Sequence, residues 1–452
     1  MDAARRLPLL ALGLLAALAE RAEAAGFALK EQSGEGQGAS FAGASAGYGG
    51  LGVMFFNPAV QGLADGVRVD STLAYARAGF GLDSASASTV LGSPIAGSSS
   101  ADDVGIDALI PALAASAPIG EHWRVGLSVN APFGLGTDYR EDWVGRYHAL
   151  RSELVALAAT PSLAWTPDPR VTLAGGLIVQ YTRAKLSNAV DFGTIGAVVG
   201  GGAPIGGVTP VPGGQDGRAR IDGDDIALGF TLGVLAEPVA GTRIGLGFRS
   251  RIENELDGDA EFDPGPSGMG TALVAATGQF VDTGAKAALD LPAMASLGIS
   301  QKLGERWTLL GEVQWTGWSS FDSLNVAFDN PRQAAVVTEE AWDDSWFVAL
   351  GVDYAWSEQL SLRAGVAFDQ TPVGDAHRTP RVPDSDRTWL SVGASWKAAD
   401  WLSLTVGYSH IVLDDATIAL RTGDPGGTFR GNLDAETSSS IDIVAIQASL
   451  RF

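Results

Sequence analysis

No cysteine occurs among the 452 residues. Disulfide scaffolds, thiolate zinc sites and cysteine nucleophiles are thereby excluded. Histidine is scarce too: the four, at 122, 148, 377 and 410, show no metal-ligand spacing. Basic charge is short, with 30 Lys and Arg against 52 Asp and Glu and a formal net charge of -22. That balance argues against nucleic acid as a partner, because phosphate binding needs a basic field. No Gly-x-Ser-x-Gly elbow is present. Gly34-Glu-Gly36-Gln-Gly38 has neither the strand before it nor the Gly-Lys-Ser/Thr after it that a phosphate loop requires. No enzyme and no cofactor or metal is expected; a Ser/His phospholipase-like site using His148 or His410 is the main enzymatic alternative.

Long apolar runs are also missing. The single apolar stretch, residues 7–19, is broken by Pro8 and Gly13 and is too short to span a bilayer. It follows Arg5 and Arg6 and precedes Ala22-Glu-Ala24. A basic start, a short apolar core and a small-residue site make residues 1–24 an expected secretory signal peptide, cleaved after Ala24.

What the chain has instead is alternation. In its last residues Val444, Ile446, Ala448, Leu450 and Phe452 share one face, with Gln447, Ser449 and Arg451 on the other. Such a strand suits lipid on one side and a polar lumen on the other. The pattern recurs over about fourteen segments: 67–79, 107–117, 123–130, 154–166, 170–184, 224–236, 241–252, 289–302, 306–318, 345–356, 359–369, 387–397, 400–411 and 440–452. Short turns alternate with long polar segments, as short periplasmic turns and long outer loops do in bacterial barrels. Trp123, Trp165, Tyr181, Trp307, Trp315, Trp356, Trp396 and Trp401 recur near strand ends, like aromatic girdles. The expected fold is all-β: an antiparallel transmembrane barrel of about 14 strands over 67–452. A plug over 25–66, rich in Gly, Ala and Ser, is expected inside it. The expected location is the bacterial outer membrane, with its lipid around the wall.

Several strings resemble the FadL-type outer-membrane transporters of long-chain fatty acids and other hydrophobic compounds. They are Ala25-Gly-Phe-Ala-Leu29, Phe56-Asn57-Pro58-Ala59, Asn130-Ala-Pro-Phe-Gly134 and Trp143-Val-Gly-Arg-Tyr-His148. Gln314-Trp-Thr-Gly-Trp318 and Val382-Pro-Asp-Ser-Asp-Arg-Thr-Trp-Leu-Ser391 follow in the same order. The resemblance implies a monomer plugged by an amino-terminal hatch. It also implies ligand capture at outer loops, a tighter internal site that Phe27 and Leu29 reach, and exit through a side opening.

Other candidate residues come from the sequence itself. Asn57, Pro58 and Ala59 are expected to form a rigid hatch corner, since Pro presets φ and Asn caps turns. Gly126, Pro132 and Gly134 are candidates for a break in strand pairing, or else mark a loop start. Strand parity points Arg387 and Trp389 inward, where Arg387 either holds a ligand carboxylate or pairs with Asp384 or Asp386. Arg146, Tyr147 and His148 form a second possible ligand group. Phe452 is the expected signal for the barrel assembly machinery. The expected activity is passive uptake of long-chain fatty acids or similar hydrophobic molecules. Uptake of aromatic hydrocarbons, an adhesive or structural barrel, and a general porin are the alternatives.

Overall fold

Alternation of side chains is what lets a strand face lipid and lumen at once, and here it builds a closed wall. The computed structural model describes residues 25–424 and 429–452. The expected signal peptide lies outside the described residues. The strands are β1 (Arg68–Ser88), β2 (Ala108–Pro118), β3 (Trp123–Asp138), β4 (Arg151–Asp168), β5 (Val171–Asp191) and β6 (Asp216–Val239). Next come β7 (Thr242–Arg249 and Ile252–Asp263), β8 (Thr283–Leu291 and Met294–Leu303), β9 (Trp307–Thr316 and Ser323–Phe328) and β10 (Val336–Glu339 and Ser345–Ala355). The last are β11 (Leu360–Asp369), β12 (Arg387–Ala399), β13 (Leu402–Leu413 and Ala416–Leu420) and β14 (Asn432–Arg451). Fourteen antiparallel staves result, and β1 closes on β14 from Arg68↔Arg451 to Ser88↔Asn432. No helix among the described residues is long and apolar enough to cross a membrane.

The lipid face follows the expected parity. Val444 and Ile446 are exposed on β14, as are Leu404, Val406 and Tyr408 on β13. Trp123 and Trp165 stack beside short turns with centroids 5.9 Å apart, and Trp307, Trp356, Trp396 and Trp401 are exposed at the same end. Closure of β1 on β14 leaves no free edge at the seam, as backbone in hydrocarbon requires.

Two expectations need correction. Strands run well beyond the segments that alternate: β1 reaches Ser88, β3 reaches Asp138 and β5 reaches Asp191, where loops were expected. Above the bilayer nothing imposes an apolar outer face, so these ribbons carry ion pairs such as Arg183–Asp222 at 2.8 Å and the sequence signal fades. The lumen is also less polar than expected. Ile178, Phe347, Trp389, Ile411, Leu413, Ile441 and Ile443 are buried inside, because they pack on other chain segments and not on water.

Residues 25–64 fill that interior. Ser33 caps a short helix, α1 (Gly34–Gln37), by accepting from Gly36 N–H. Asn57 caps a 3-10 turn over Pro58–Leu63 by accepting from Ala59 N–H at 2.9 Å, and its Nδ2 donates to Ser45 O and, on β6, to Val234 O. Small residues matter because hatch and wall touch backbone to backbone: a Cβ at Gly247 would collide with the Phe56 carbonyl oxygen. Outside the membrane, helices α2 (Phe192–Val199) and α3 (Met269–Thr277) bury Phe192, Ile195, Met269 and Leu273 against one another.

Candidate ligand-binding channel

The outward extensions of the strands enclose a cavity of about 800 Å³ at the mouth. Tyr147, His148, Phe262, Phe280, Phe328 and Arg430 are on its wall. Leu186, Ile221, Leu324, Val326, Glu340 and Arg381 line this cavity and also a narrower throat of about 90 Å³ below it. Leu135, Leu154, Leu256 and Leu289 make the throat apolar, and Phe27 and Val382 are also on its wall. Chain segments read from sequence as outer loops thus supply much of the lining, including Phe321, Leu324, Val326 and Phe328.

Phe27 belongs to the amino-terminal strap, residues 25–29. Its ring sits among Trp318, Trp342, Phe321 and Phe133, with centroids 4.6, 5.3, 5.7 and 6.1 Å away. The contacts with Trp318, Phe321 and Phe133 are edge-to-face, placing ring edges on ring faces where the quadrupoles attract, and that with Trp342 is tilted. The strap is fixed at both sides. Gly26 N–H donates to Asp384 Oδ2 at 2.7 Å, while Leu29 N–H donates to Pro132 O and Gly134 N–H to Phe27 O. The strap is therefore a short extra strand on β3, with Ala28 opposite Phe133.

That pairing occupies a place where the wall is incomplete. The β2–β3 ladder runs only from Pro118↔Arg124 to Leu113↔Val129. Beyond it β3 bulges between Asn130 and Phe133 against β4. The two chains meet again where Ile106 N–H reaches Gly136 O and Asp138 N–H reaches Val104 O. Between these limits β3 donates to the strap and not to β2. Pro132 suits the bulge because it has no N–H to leave unpaired.

Residues 15–452 match the family described as outer membrane protein transport protein (OMPP1/FadL/TodX). The chain belongs to this family. It is similar to outer membrane protein P1 of Haemophilus influenzae, 28% identical with 89% of each chain covered. It is 25% identical to the long-chain fatty acid transport protein of Escherichia coli strain K12, over 88% of this chain and 90% of that one. A crystal structure of a Pseudomonas aeruginosa FadL homologue superposes with a TM-score of 0.84 at 26% identity, over 95% of this chain and all (100%) of that one. The Pseudomonas putida toluene transporter TodX, at 18% identity and a TM-score of 0.67 over 95% and 100% of the chains, shares the fold. The protein is thus a FadL/TodX-family transporter of hydrophobic compounds in the outer membrane and not an enzyme.

Within this FadL/TodX barrel the sequence-derived residues fall into several separate places. Phe27, Pro132 and Gly134 meet at the strap and the wall gap, with Leu29 next to them. Gly126 lies lower on β3, in register with Ser116 and Ser162, where Met54 and Gln61 of the hatch press on it. Pro132 and Gly134 are strand residues and not the start of a loop. Arg387 and Trp389 face inward and are buried, but Arg387 Nε donates to Asp384 Oδ1 at 3.0 Å. Arg146 Nε and the Tyr147 hydroxyl both donate to Asp216, each at 2.6 Å, and so tie two outer segments together. His148 lies on the mouth cavity, and burial, aided by Arg430 and Arg381, pushes its pKa down to about 3, so the ring is neutral.

Arg381, Arg430 and Glu340 were not anticipated. They stand in outer segments without periodicity, and proximity between such segments leaves no mark on a single sequence. The nearest signal was the Val382-Pro-Asp string that follows Arg381.

Proposed function

We propose that the protein takes up long-chain fatty acids and similar hydrophobic molecules passively, entering at the mouth cavity, passing the throat and leaving sideways between β2 and β3. The observation that carries this reading is that Phe27 both lines the throat and, through its carbonyl, pairs with β3 at the gap in the wall. A molecule that displaces the strap from the throat therefore unblocks the wall in the same movement. Apolar surface avoids water, so an apolar throat opening toward lipid serves such cargo better than a wet pore. The packed hatch, buried from Ala25 to Val60 but for a few half-exposed residues, accounts for uptake without ion leakage. A second reading, uptake of monoaromatic hydrocarbons, is favoured by the rings gathered around Phe27.

A reversible lock tests the route. Ala28 and Phe133 form a non-hydrogen-bonded antiparallel pair, whose Cα atoms approach to about 4.5 Å, within disulfide range. The chain has no cysteine of its own to interfere. In liposomes, Ala28→Cys/Phe133→Cys is expected to lose oleate uptake when oxidised and regain it when reduced. Uptake unaffected by the lock would rule out the side exit.

A further inference from the structure

The throat of about 90 Å³ is smaller than the roughly 150 Å³ cavity that holds a benzene ring. Such a space suits a single alkyl chain, and a fused-ring molecule passes only where the wall gives. β5 pairs with β6 from Val171↔Ala236 to Asp191↔Asp216, and β7 pairs with β8 from Ile252↔Leu291 to Ala260↔Thr283. The β6–β7 ladder is different. It runs from Val239↔Thr242 to Thr231↔Arg249, stops, and resumes at Asp224↔Asp257. Residues 225–230 thus face 250–256 without a ladder, beside Ile221, Gly223 and Leu256 of the throat wall. The β8–β9 ladder is interrupted too, between Met294↔Thr316 and Ala287↔Val326, but the intervening turn buries Trp318 and Phe321 against Phe27.

Side chains span the unpaired stretch. The Ser250 N–H donates to Phe230 O, and Ser250 Oγ accepts from the Phe230 N–H, both at 2.9 Å. Asp225 Oδ2 accepts from the Glu255 N–H at 3.0 Å, a carboxylate standing in for a strand carbonyl. Where the ladder resumes it is weak, because Asp224 faces Asp257 and Asp222 faces Asp259. Like charges directly opposite destabilise a cross-strand pair, although Arg183 pairs with Asp222 and Lys286 with Asp257. Arg251 braces β7 on β8 through Asp290 at 2.6 Å, so β7 stays with β8 when β6 moves off. Ile226 and Leu228 of β6 are 66% and 63% exposed on the outer surface of the seam. Parting the strands there bares apolar side chains to lipid and not to water.

We propose that the β6–β7 seam is the yielding wall of the throat, and that Asp225 is the clip that sets how wide a cargo passes. The inference rests on the uptake reading above and adds a substrate class to it. Single alkyl chains pass with the seam shut, and apolar molecules with fused rings pass when it parts. Asp225 is a positioning residue that acts through the β7 backbone. Gly229 gives access to the seam: a Cβ there meets Ser250 Oγ at 2.8 Å and Ile252 Cγ1 at 2.9 Å. That approach suits a disulfide between positions 229 and 250, whose sulfurs bond at about 2 Å.

The test compares uptake of palmitate and pyrene by cells in which the intact protein is the one transporter of its family. In Gly229→Cys/Ser250→Cys, oxidation is expected to cut pyrene uptake about tenfold and leave palmitate within about twofold, with reduction restoring both. The reduced form of the same variant is the folding control. Asp225→Ala is expected to raise pyrene uptake relative to palmitate. In the purified barrel it is expected to speed hydrogen exchange at the Glu255 amide about tenfold, the margin of one hydrogen bond to a charged group. Pyrene uptake indifferent to the lock puts the yielding wall elsewhere and overturns the proposal. Equal loss of both cargoes, or exclusion of pyrene by wild type, overturns it as well. Unchanged exchange at Glu255 removes Asp225 as the clip. Failure of wild type to take up palmitate sinks the uptake reading itself, which the other outcomes leave standing.

Discussion

Arg387 faces the lumen as the alternation of its strand requires, yet its guanidinium is spent on Asp384, whose other oxygen accepts the Gly26 N–H. Arg387 is therefore linked to the strap through Asp384. Both side chains are almost wholly buried, at 1% and 2% exposure. Arg387→Ala leaves a carboxylate buried without its cation, a change that costs about 3–5 kcal/mol. The strap is the element able to give way. In an Ala28→Cys background, Arg387→Ala is expected to speed thiol labelling at position 28; an unchanged rate would mean the pair does not hold the strap. Parity was enough to aim Arg387 inward. It was not enough to say which charges were already paired, because Arg146–Asp216 and Gly26–Asp384 join residues far apart in sequence.

At the scale of elements, the hatch stays in place because the wall is locally bare. A Cβ at Gly245 would strike the Ser45 carbonyl, and one at Gly247 the Phe56 carbonyl. Overpacking of this kind costs about 1–3 kcal/mol even where the neighbours yield. Gly247→Val is expected to unseat the hatch and raise single-channel conductance in planar bilayers toward that of a barrel lacking residues 25–66. Gly374→Val, with nothing within 4 Å of its Cβ position, is the silent control. Conductance unchanged in both the glycine variant and the deletion would remove the plug role. The staves themselves were legible, since each spanning segment must show lipid an apolar face every second residue. Their outer extensions, α2 and α3 were not, because above the bilayer water accepts either face. Of the hatch turns, Asn57 and Pro58 signal theirs, but the one at Ser40 and Phe41 was not legible: the two adopt positive φ, 50° and 57°, a conformation that neither residue type signals.

For the whole molecule, the decisive contact is the seam where the last strand meets the first. The β1–β14 ladder runs the length of both strands with one irregularity, between Asp83 and Ser86. Phe452 extends it by one residue: its N–H donates to Val67 O at 2.8 Å and its carbonyl accepts from Val67 N–H at 3.1 Å. Its ring packs on little, being 75% exposed. Two backbone bonds at a solvent-facing rim are worth about 1–3 kcal/mol together, little beside a seam this long. Thermodynamics thus gives the terminal aromatic a small role in the finished barrel, and a larger one is left for recognition before closure, when β14 is an unpaired edge presenting its alternating face and free ladder groups. Deleting Phe452 is expected to lower the amount of protein reaching the outer membrane in cells. The same variant, refolded from denaturant into detergent, is expected to keep the heat-dependent gel migration of the intact chain. Loss of both would make Phe452 a structural residue of the seam, and normal levels in cells would end its role as an assembly signal.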